Sequence, residues 1–315
     1  MEPIDVKFLG AGGNWVNLCS LIALGLNGYY SPLPKGSTVS VTTSDPGPAC
    51  TDAPLLVAAG KYHMAITTPA WYGRAAYEGL APFDRKLPIR ALAVFQHDDR
   101  LVFAVRRETG IKSIGDIRDK KYPLKFSTPA PEMRHPAGIV AEMICKEYGF
   151  SFADIEAWGG KLLRDRPRNQ NHPDSVPISP EFDAVFDEAI MTRRWPKLAE
   201  KYDLEFLPVD KKVVDKMVGL GMQAGVLAKG RLKGVERDVP TIDFSGWLLF
   251  CHADIPDDLA YFTMKAIEAQ KAEIEARFPR PFSGMTGEVD FKKLAHAPLP
   301  LHPGAERFYR ERGCL

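Results

Sequence analysis

Residues 8–17, Phe-Leu-Gly-Ala-Gly-Gly-Asn-Trp-Val-Asn, join a short apolar run to a glycine-rich turn and the start of a helical pattern. The residues from Ile4 to Phe8 alternate between apolar and polar, which is typical of a strand. Apolar side chains then recur at helical spacing from Asn14 to about Leu26. The stretch therefore predicts a strand, a tight turn and a helix.

Two functions fit a glycine-rich turn at a helix start. A dinucleotide-binding turn needs a third glycine where Trp15 stands, and an acidic residue after the next strand. That strand ends instead in residues 41–44, Val-Thr-Thr-Ser, so a dinucleotide site is excluded. The backbone amides of Gly12, Gly13 and Asn14 can still hold an anion at the positive end of the helix dipole. An ordinary tight turn is the alternative.

The composition excludes several classes of partner. At 315 residues the chain exceeds the usual size of a single core, so we expect two domains. With 41 basic and 40 acidic residues, nothing in the net charge favours nucleic acid as a partner. No stretch approaches the roughly 20 apolar residues of a membrane helix, so we expect no direct membrane insertion.

The cysteines and histidines predict neither a disulfide framework nor a metal site. Five cysteines are widely scattered without a Cys-x-x-Cys pair, and the seven histidines show no ligand spacing. We therefore expect no metal and no cofactor. No basic segment with an apolar core stands before the first strand pattern. We expect a cytoplasmic protein, or a periplasmic one whose signal segment was removed.

Strand and helix patterns alternate along the chain, which predicts an α/β fold with largely parallel sheets. Extended runs at 101–105 and 239–251 are natural crossing points between two lobes. They predict a first lobe of residues 1–106 plus 243–315, and an inserted second lobe of residues 107–242. Thr51 is expected to cap a helix, residues 164–180 to form a loop, and residues 256–278 to form the longest helix.

Several motifs together resemble the TAXI family, the solute-binding proteins of tripartite ATP-independent periplasmic (TRAP) transporters. Beyond the glycine-rich turn, they are residues 54–61 (Pro-Leu-Leu-Val-Ala-Ala-Gly-Lys), 110–117 (Gly-Ile-Lys-Ser-Ile-Gly-Asp-Ile), 183–186 (Asp-Ala-Val-Phe), 255–259 (Ile-Pro-Asp-Asp-Leu) and 300–305 (Pro-Leu-His-Pro-Gly-Ala), the last followed by Tyr309 and Gly313. Their order and spacing carry the resemblance over nearly the whole chain.

The resemblance implies a type II periplasmic-binding-protein fold, in which two similar three-layer α/β lobes joined by a hinge close on a small carboxylate in the cleft between them. The loops that line the cleft in the family correspond here to Gly12, Gly13, Asn14, Thr43, Ser44, Thr68, Trp71, Ser127, Thr128 and Arg134. Family members often have a small or hydroxylated residue after the glycines, where this chain has Asn14 and Trp15. The identity of the ligand is therefore not carried over.

Further candidates come from residue chemistry. Arg134 and His135 could clamp a carboxylate or form a surface turn. Asp187 and Glu188 follow a predicted strand and could hold a ligand ammonium or hydroxyl, transfer protons, or complement a helix dipole. Trp247, like Trp71, suits an aromatic ligand body, although large aromatic side chains are more often part of a core.

Two functions follow. The first is a solute-binding protein that delivers a small organic carboxylate, aromatic or not, to TRAP membrane subunits. The second is a cytosolic enzyme on the same fold, a decarboxylase, a dehydratase or another lyase, in which Asp187, Glu188 and His135 transfer protons. No Gly-x-Ser-x-Gly turn is present, and no catalytic triad can be picked from the sequence.

Overall fold

A computed structural model describes residues 2–27, 33–44, 46–129, 135–163, 180–278 and 288–315. The chain divides into two compact units. The first unit is Met1–His97 with Ser245–Leu315, and the second unit is Asp98–Phe244. The extended run at 101–105 lies within the second unit.

The helices and strands alternate along the chain. In order they are β1 (Asp5–Ala11), α1 (Gly12–Leu26), β2 (Thr38–Ser44), α2 (Pro46–Ala58), β3 (Met64–Thr67), α3 (Ala70–Glu78), β4 (Ile89–Phe95), β5 (Arg100–Arg106), α4 (Ile114–Asp119), β6 (Lys125–Ser127), α5 (Pro136–Glu147), α6 (Phe152–Ala157), β7 (Lys161–Leu163), β8 (Ala184–Asp187), α7 (Arg194–Lys201), β9 (Leu204–Phe206), α8 (Lys211–Gly219), β10 (Ala224–Leu227), β11 (Val239–Asp243), β12 (Trp247–His252), α9 (Asp257–Ala269), α10 (Lys271–Arg277), α11 (Phe291–Leu294) and α12 (Pro303–Glu311).

The first unit is built on a five-stranded sheet of order β2-β1-β3-β12-β4. Strand β1 runs parallel to β2 and β3, whereas β12 runs antiparallel to β3 and β4. The carboxyl ends of β1, β2, β3 and β4 therefore meet at one edge, together with the first residue of β12. In α/β sheets this is the edge at which ligands bind.

Helix α1 packs on this sheet through an apolar stripe. Its buried side chains stand at helical spacing, and they are Trp15, Leu18, Cys19, Ile22 and Leu26. Gly10 in β1 allows the close approach, because a Cβ atom there would lie 2.8 Å from the Cα atom of Val16. The first and third glycines of the turn thus differ in role, since Gly10 serves packing while Gly13 is exposed.

The second unit is built on a seven-stranded sheet of order β10-β11-β5-β8-β6-β7, with β9 also paired to β5. Strand β5 is antiparallel to β8, β9 and β11, whereas β6 is parallel to β7 and β8. Stacked rings fill its centre, with centroids 4.6 Å apart for Phe103 and Phe186 and 5.4 Å apart for Phe103 and Phe126. Both sheets are mixed, so the expectation of largely parallel sheets is wrong.

Three predicted elements are corrected. Thr51 lies inside α2 and does not cap it. Residues 239–251 form two strands, β11 and β12, which belong to different units, and Gly246 between them takes a positive φ of 87°. Residues 256–278 form α9 and α10, which are separated at Gln270. Of the predicted loop 164–180, residues 164–179 lie outside the described part of the chain.

Among the described residues, no helix is long and apolar enough to cross a membrane. No group of three or more His, Cys, Asp or Glu side chains in that part of the chain could hold a metal ion. Cys19, Cys145 and Cys251 are buried free thiols. Burial raises the pKa of Cys19 to about 12, and it also raises the pKa of Cys145 and Cys251. These thiols therefore behave as small core side chains.

Candidate ligand-binding sites

The glycine-rich turn of the first unit presents backbone amides at the carboxyl edge of its sheet. Strand β1 ends at Ala11, and α1 begins at Gly12 without an intervening loop. The first N–H groups of a helix have no partner within the helix, and the helix dipole makes their surroundings positive. Gly13 is exposed, and a Cβ atom there would meet no described residue within 4 Å. Open space therefore adjoins the amides.

Hydroxyl groups lie beside this helix start. The β1–β2 register pairs Gly10 with Thr43 and Ala11 with Ser44, so the end of β2 stands next to the end of β1. Thr43 is exposed, and the side chain of Ser44 lies outside the described part of the structure. The sheet thus brings Thr43 and the start of α1 to the same edge, as expected for residues at the ends of neighbouring parallel strands.

The end of β3 is tied to the start of β12. Thr68 is buried, and its hydroxyl donates a hydrogen bond to the carbonyl oxygen of Gly246 at 3.2 Å. Trp71, in the first turn of α3, is only 1% exposed and packs edge to face against Tyr72. Thr68 is therefore near the sheet edge with a structural bond, while Trp71 is a core side chain.

Trp247 is the centre of an aromatic cluster at the same edge. It pairs with Phe95, the last residue of β4, and its ring packs against three others. The centroid distances from Trp247 are 6.4 Å to Trp15, 5.3 Å to His97 and 5.6 Å to Phe278. The sequence did not single out Trp15, because it occupies an ordinary core position of α1. It did not single out His97, because that residue stands in a polar run between two strands.

At the corresponding edge of the second unit, the parallel strands β6 and β8 end side by side. Ser127 and Thr128, at and just after the end of β6, are both buried. The Thr128 hydroxyl has no hydrogen-bond partner in the part of the chain that the structure describes. His135 caps α5, and its Nδ1 accepts a hydrogen bond from the Ala137 amide at 3.1 Å. Arg134 lies outside the described residues.

Asp187 and Glu188 lie at the end of β8, where Arg194 of α7 contacts both. The Arg194 Nη1 atom is 3.5 Å from Asp187 Oδ2 and 3.2 Å from Glu188 Oε1. The Asp187 side chain is fully buried, and a buried carboxylate of this kind needs a cation beside it. Arg194 is thus a basic partner of this pair that the sequence did not point to.

A third carboxyl group, Asp99, was missed in the sequence. It is fully buried and accepts hydrogen bonds from the amides of Arg100 (2.7 Å), Ala189 (2.8 Å) and Ile190 (2.9 Å). These bonds hold Ala189 at a φ of 75°, a left-handed conformation that is rare outside glycine. Nothing marked Asp99, because a His-Asp-Asp-Arg run between two strands usually forms a solvated turn.

Asp99 is also coupled to Glu188. Burial raises the pKa of Asp99 well above its usual range, and the negative charge of Glu188 and a hydrogen bond between the two carboxyl groups raise it further. The hydrogen bonds from the amides of Ile190 and Ala189 act in the opposite direction. The pair therefore holds one proton to a higher pH than an isolated carboxyl group would.

Comparison with known proteins agrees with this architecture. The NMT1-like family matches residues 185–313, a stretch of less than half the chain. The structure of XAC2383 from Xanthomonas citri bound to ATP is similar over 98% of this chain and 95% of that one, with 11% identity and a TM-score of 0.51. MatC from Rhodopseudomonas palustris with bound malate matches 99% of this chain and 98% of its own, with 11% identity and a TM-score of 0.48.

A further solved structure, a Candida albicans protein, is described as having the generic periplasmic binding protein structural fold. It covers 87% of this chain and 72% of its own, with 13% identity and a TM-score of 0.40. The predicted α/β fold class is confirmed: the chain has two units, each built on a mixed sheet with flanking helices.

Proposed function

We propose that this protein binds a small organic carboxylate, aliphatic or aromatic, and delivers it in the periplasm to a membrane transporter of the TRAP type. One observation carries the proposal: α1 begins directly after β1 at the carboxyl edge of the first sheet, where the neighbouring β2 ends with the exposed Thr43. Uncharged donors at a helix start bind an oxyanion by hydrogen bonding, and no chemical step is needed.

The fold and the ordered motifs of the TAXI resemblance support a binding protein. We retain as ligand-binding candidates Gly12, Gly13, Asn14, Thr43, Ser44, Thr68, Trp71, Trp247, Ser127, Thr128, Arg134, His135, Asp187 and Glu188.

An enzyme is the second candidate, and one observation favours it. Burial and the neighbouring Glu188 raise the pKa of Asp99, and a carboxyl group with a raised pKa is typical of proton-transfer chemistry. Asp187 suits this role less well, since its carboxylate is buried against Arg194. If the protein is a lyase, Glu188→Gln should abolish turnover while ligand affinity remains. Equal turnover in the variant and the parent protein would remove Glu188 from this role.

A ligand screen with product analysis separates the two candidates. The full chain is tested by thermal shift against aliphatic and aromatic carboxylates, and every hit is re-isolated. A ligand at about 100 times its dissociation constant should add roughly 2.7 kcal/mol to the free energy of unfolding. A stabilising carboxylate recovered unchanged is the expected result. Conversion of the hit to product would establish an enzyme, and stabilisation by none of the carboxylates would contradict the proposed ligand class.

A further inference from the structure

The indole N–H of Trp15 is a buried donor that has no acceptor among the described residues. Trp15 is 8% exposed, and its Nε1 atom has no hydrogen-bond partner in the described part of the chain. Tryptophan N–H groups usually find a partner when they are buried, and leaving one unpaired is costly. An unpaired buried donor in a native protein therefore needs an explanation, and a missing ligand is one.

The position of the ring connects this donor to the edge of the first sheet. Trp15 lies in the first turn of the 15-residue helix α1, and side chains in a helix lean back toward its amino terminus. Its ring packs edge to face on Trp247, which pairs with the last residue of β4. The next residue of β12, Leu248, pairs with Thr67, the last residue of β3. The indole is therefore directed to the edge where the α1 amides open.

The surroundings of this donor combine neutral polar groups with aromatic rings. The amides of Gly13 and Asn14, the Thr43 hydroxyl and the Trp15 indole carry no net charge. Trp247 with its ring neighbours supplies an apolar wall. A single negative charge on a planar apolar body matches such a site, because uncharged donors compensate one charge far more easily than two.

We propose that the Trp15 indole donates a hydrogen bond to the ligand carboxylate, together with the amides at the start of α1, and that the site selects monocarboxylates with an apolar, planar body. This inference rests on the proposed function and narrows its ligand class. Trp15 is then a specificity-determining residue, since its N–H fixes the carboxylate while its ring supports Trp247.

The test uses the five tryptophan indoles as reporters. The full chain is labelled with ¹⁵N at the indole nitrogens and titrated separately with benzoate, acetate and inorganic phosphate. Trp15→Phe assigns the Trp15 signal, and Trp158→Phe, at the end of α6 in the second unit, is the matched control.

We expect benzoate to shift the Trp15 signal saturably and to bind more tightly than acetate or phosphate. Trp15→Phe should weaken benzoate binding about tenfold or more, because a hydrogen bond to a charged group is lost. Trp158→Phe should leave it unchanged.

The outcomes distinguish this inference from the proposed function. If carboxylates stabilise the protein while the Trp15 signal stays still and Trp15→Phe keeps full affinity, the inference is wrong and the function stands. If phosphate alone shifts the signal, the donor role stands, but the monocarboxylate class and the proposed function fail. If no probe shifts it, the inference is wrong. Should Trp15→Phe fail to fold, benzothienylalanine at position 15 replaces the N–H with sulfur at nearly constant ring shape.

Discussion

Both units have polar groups at the carboxyl ends of their strands, but the two sets of groups differ in charge and in their hydrogen-bond partners. In the first unit, the α1 amides, Thr43 and the Trp15 indole are neutral donors, and the structure leaves the Trp15 N–H unpaired within its described part. In the second unit, the buried carboxyl groups of Asp99 and Asp187 have partners from the same unit. Asp99 accepts hydrogen bonds from the Ala189 and Ile190 amides, and Asp187 pairs with Arg194. The difference is one of hydrogen bonding: a buried donor of the first unit has no partner among the described residues, whereas the buried carboxyl groups of the second unit have partners in that unit.

Asp99 should give the largest stability effect. Asp99→Ala leaves the buried amides of Arg100, Ala189 and Ile190 without an acceptor, so we expect a loss of about 3–5 kcal/mol in the free energy of unfolding of the second unit. Urea denaturation measures the change. Asp98→Ala is the matched control, because that side chain is exposed and only pairs with Arg100, and it should cost less than about 1 kcal/mol. A small effect of Asp99→Ala would mean that the loop after β8 is held by other contacts.

Two glycines of the first unit separate packing from ligand approach. Gly10→Ala forces a Cβ atom against the backbone of α1 at 2.8 Å, and should cost about 1–3 kcal/mol of stability. Gly13→Ala should change stability by less than about 1 kcal/mol, since its Cβ meets no atom within 4 Å. It should nevertheless weaken carboxylate binding in a calorimetric titration, because the methyl group occupies the space beside the amides. Unchanged affinity in Gly13→Ala would exclude this turn from the site.

The stability of the first unit should depend on pH through His302. This side chain is 1% exposed, its Nδ1 accepts a hydrogen bond from the Gly304 amide, and burial lowers its pKa although Asp257 lies 3.7 Å away. The unfolded chain then takes up the proton first, so stability is present above about pH 6.5 and is lost as the pH falls below it.

The variant His302→Asn keeps a capping acceptor without the titration. It should remove a slope of at most about 1.4 kcal/mol per pH unit between pH 6.5 and 5. The exposed His296→Asn is its control. Parallel pH profiles of the parent protein and His302→Asn would show that His302 is not protonated differently on unfolding.

Two threonines give the smallest predicted effects and compare the units directly. Thr68→Val removes a hydrogen bond to the Gly246 carbonyl and should cost about 1 kcal/mol. Thr128→Val removes a buried hydroxyl that has no partner within the described residues, so stability should stay the same or rise slightly. Thermal denaturation of both variants under one set of conditions tests the contrast. A large loss for Thr128→Val would reveal a bond outside that part of the chain.

Local patterns predicted much of the fold. The β1–α1 turn followed from strand alternation, three glycines and helical spacing. The assignment of residues 239–251 to two sheets could not be predicted, because only tertiary pairing places β11 and β12 in different sheets.

The candidate sites were less accessible from sequence. Thr43 could be placed beside the helix start from the sequence, because neighbouring parallel strands end at the same sheet edge. The sequence did not indicate Asp99, whose partners Ala189 and Ile190 are about 90 residues away in the chain. Nor could it find the unpaired indole of Trp15, since only the packing around a side chain shows whether its donor is satisfied. Long-range hydrogen bonds and burial are set by tertiary structure.

The most direct test of the central claim is a calorimetric titration of the best carboxylate hit into the full chain, with the ligand recovered and quantified afterwards by proton NMR. A solute-binding protein predicts saturable binding of one ligand per chain and complete recovery of that ligand unchanged. Loss of the carboxylate with appearance of product, or no saturable heat with any carboxylate that stabilises the protein, would contradict the claim.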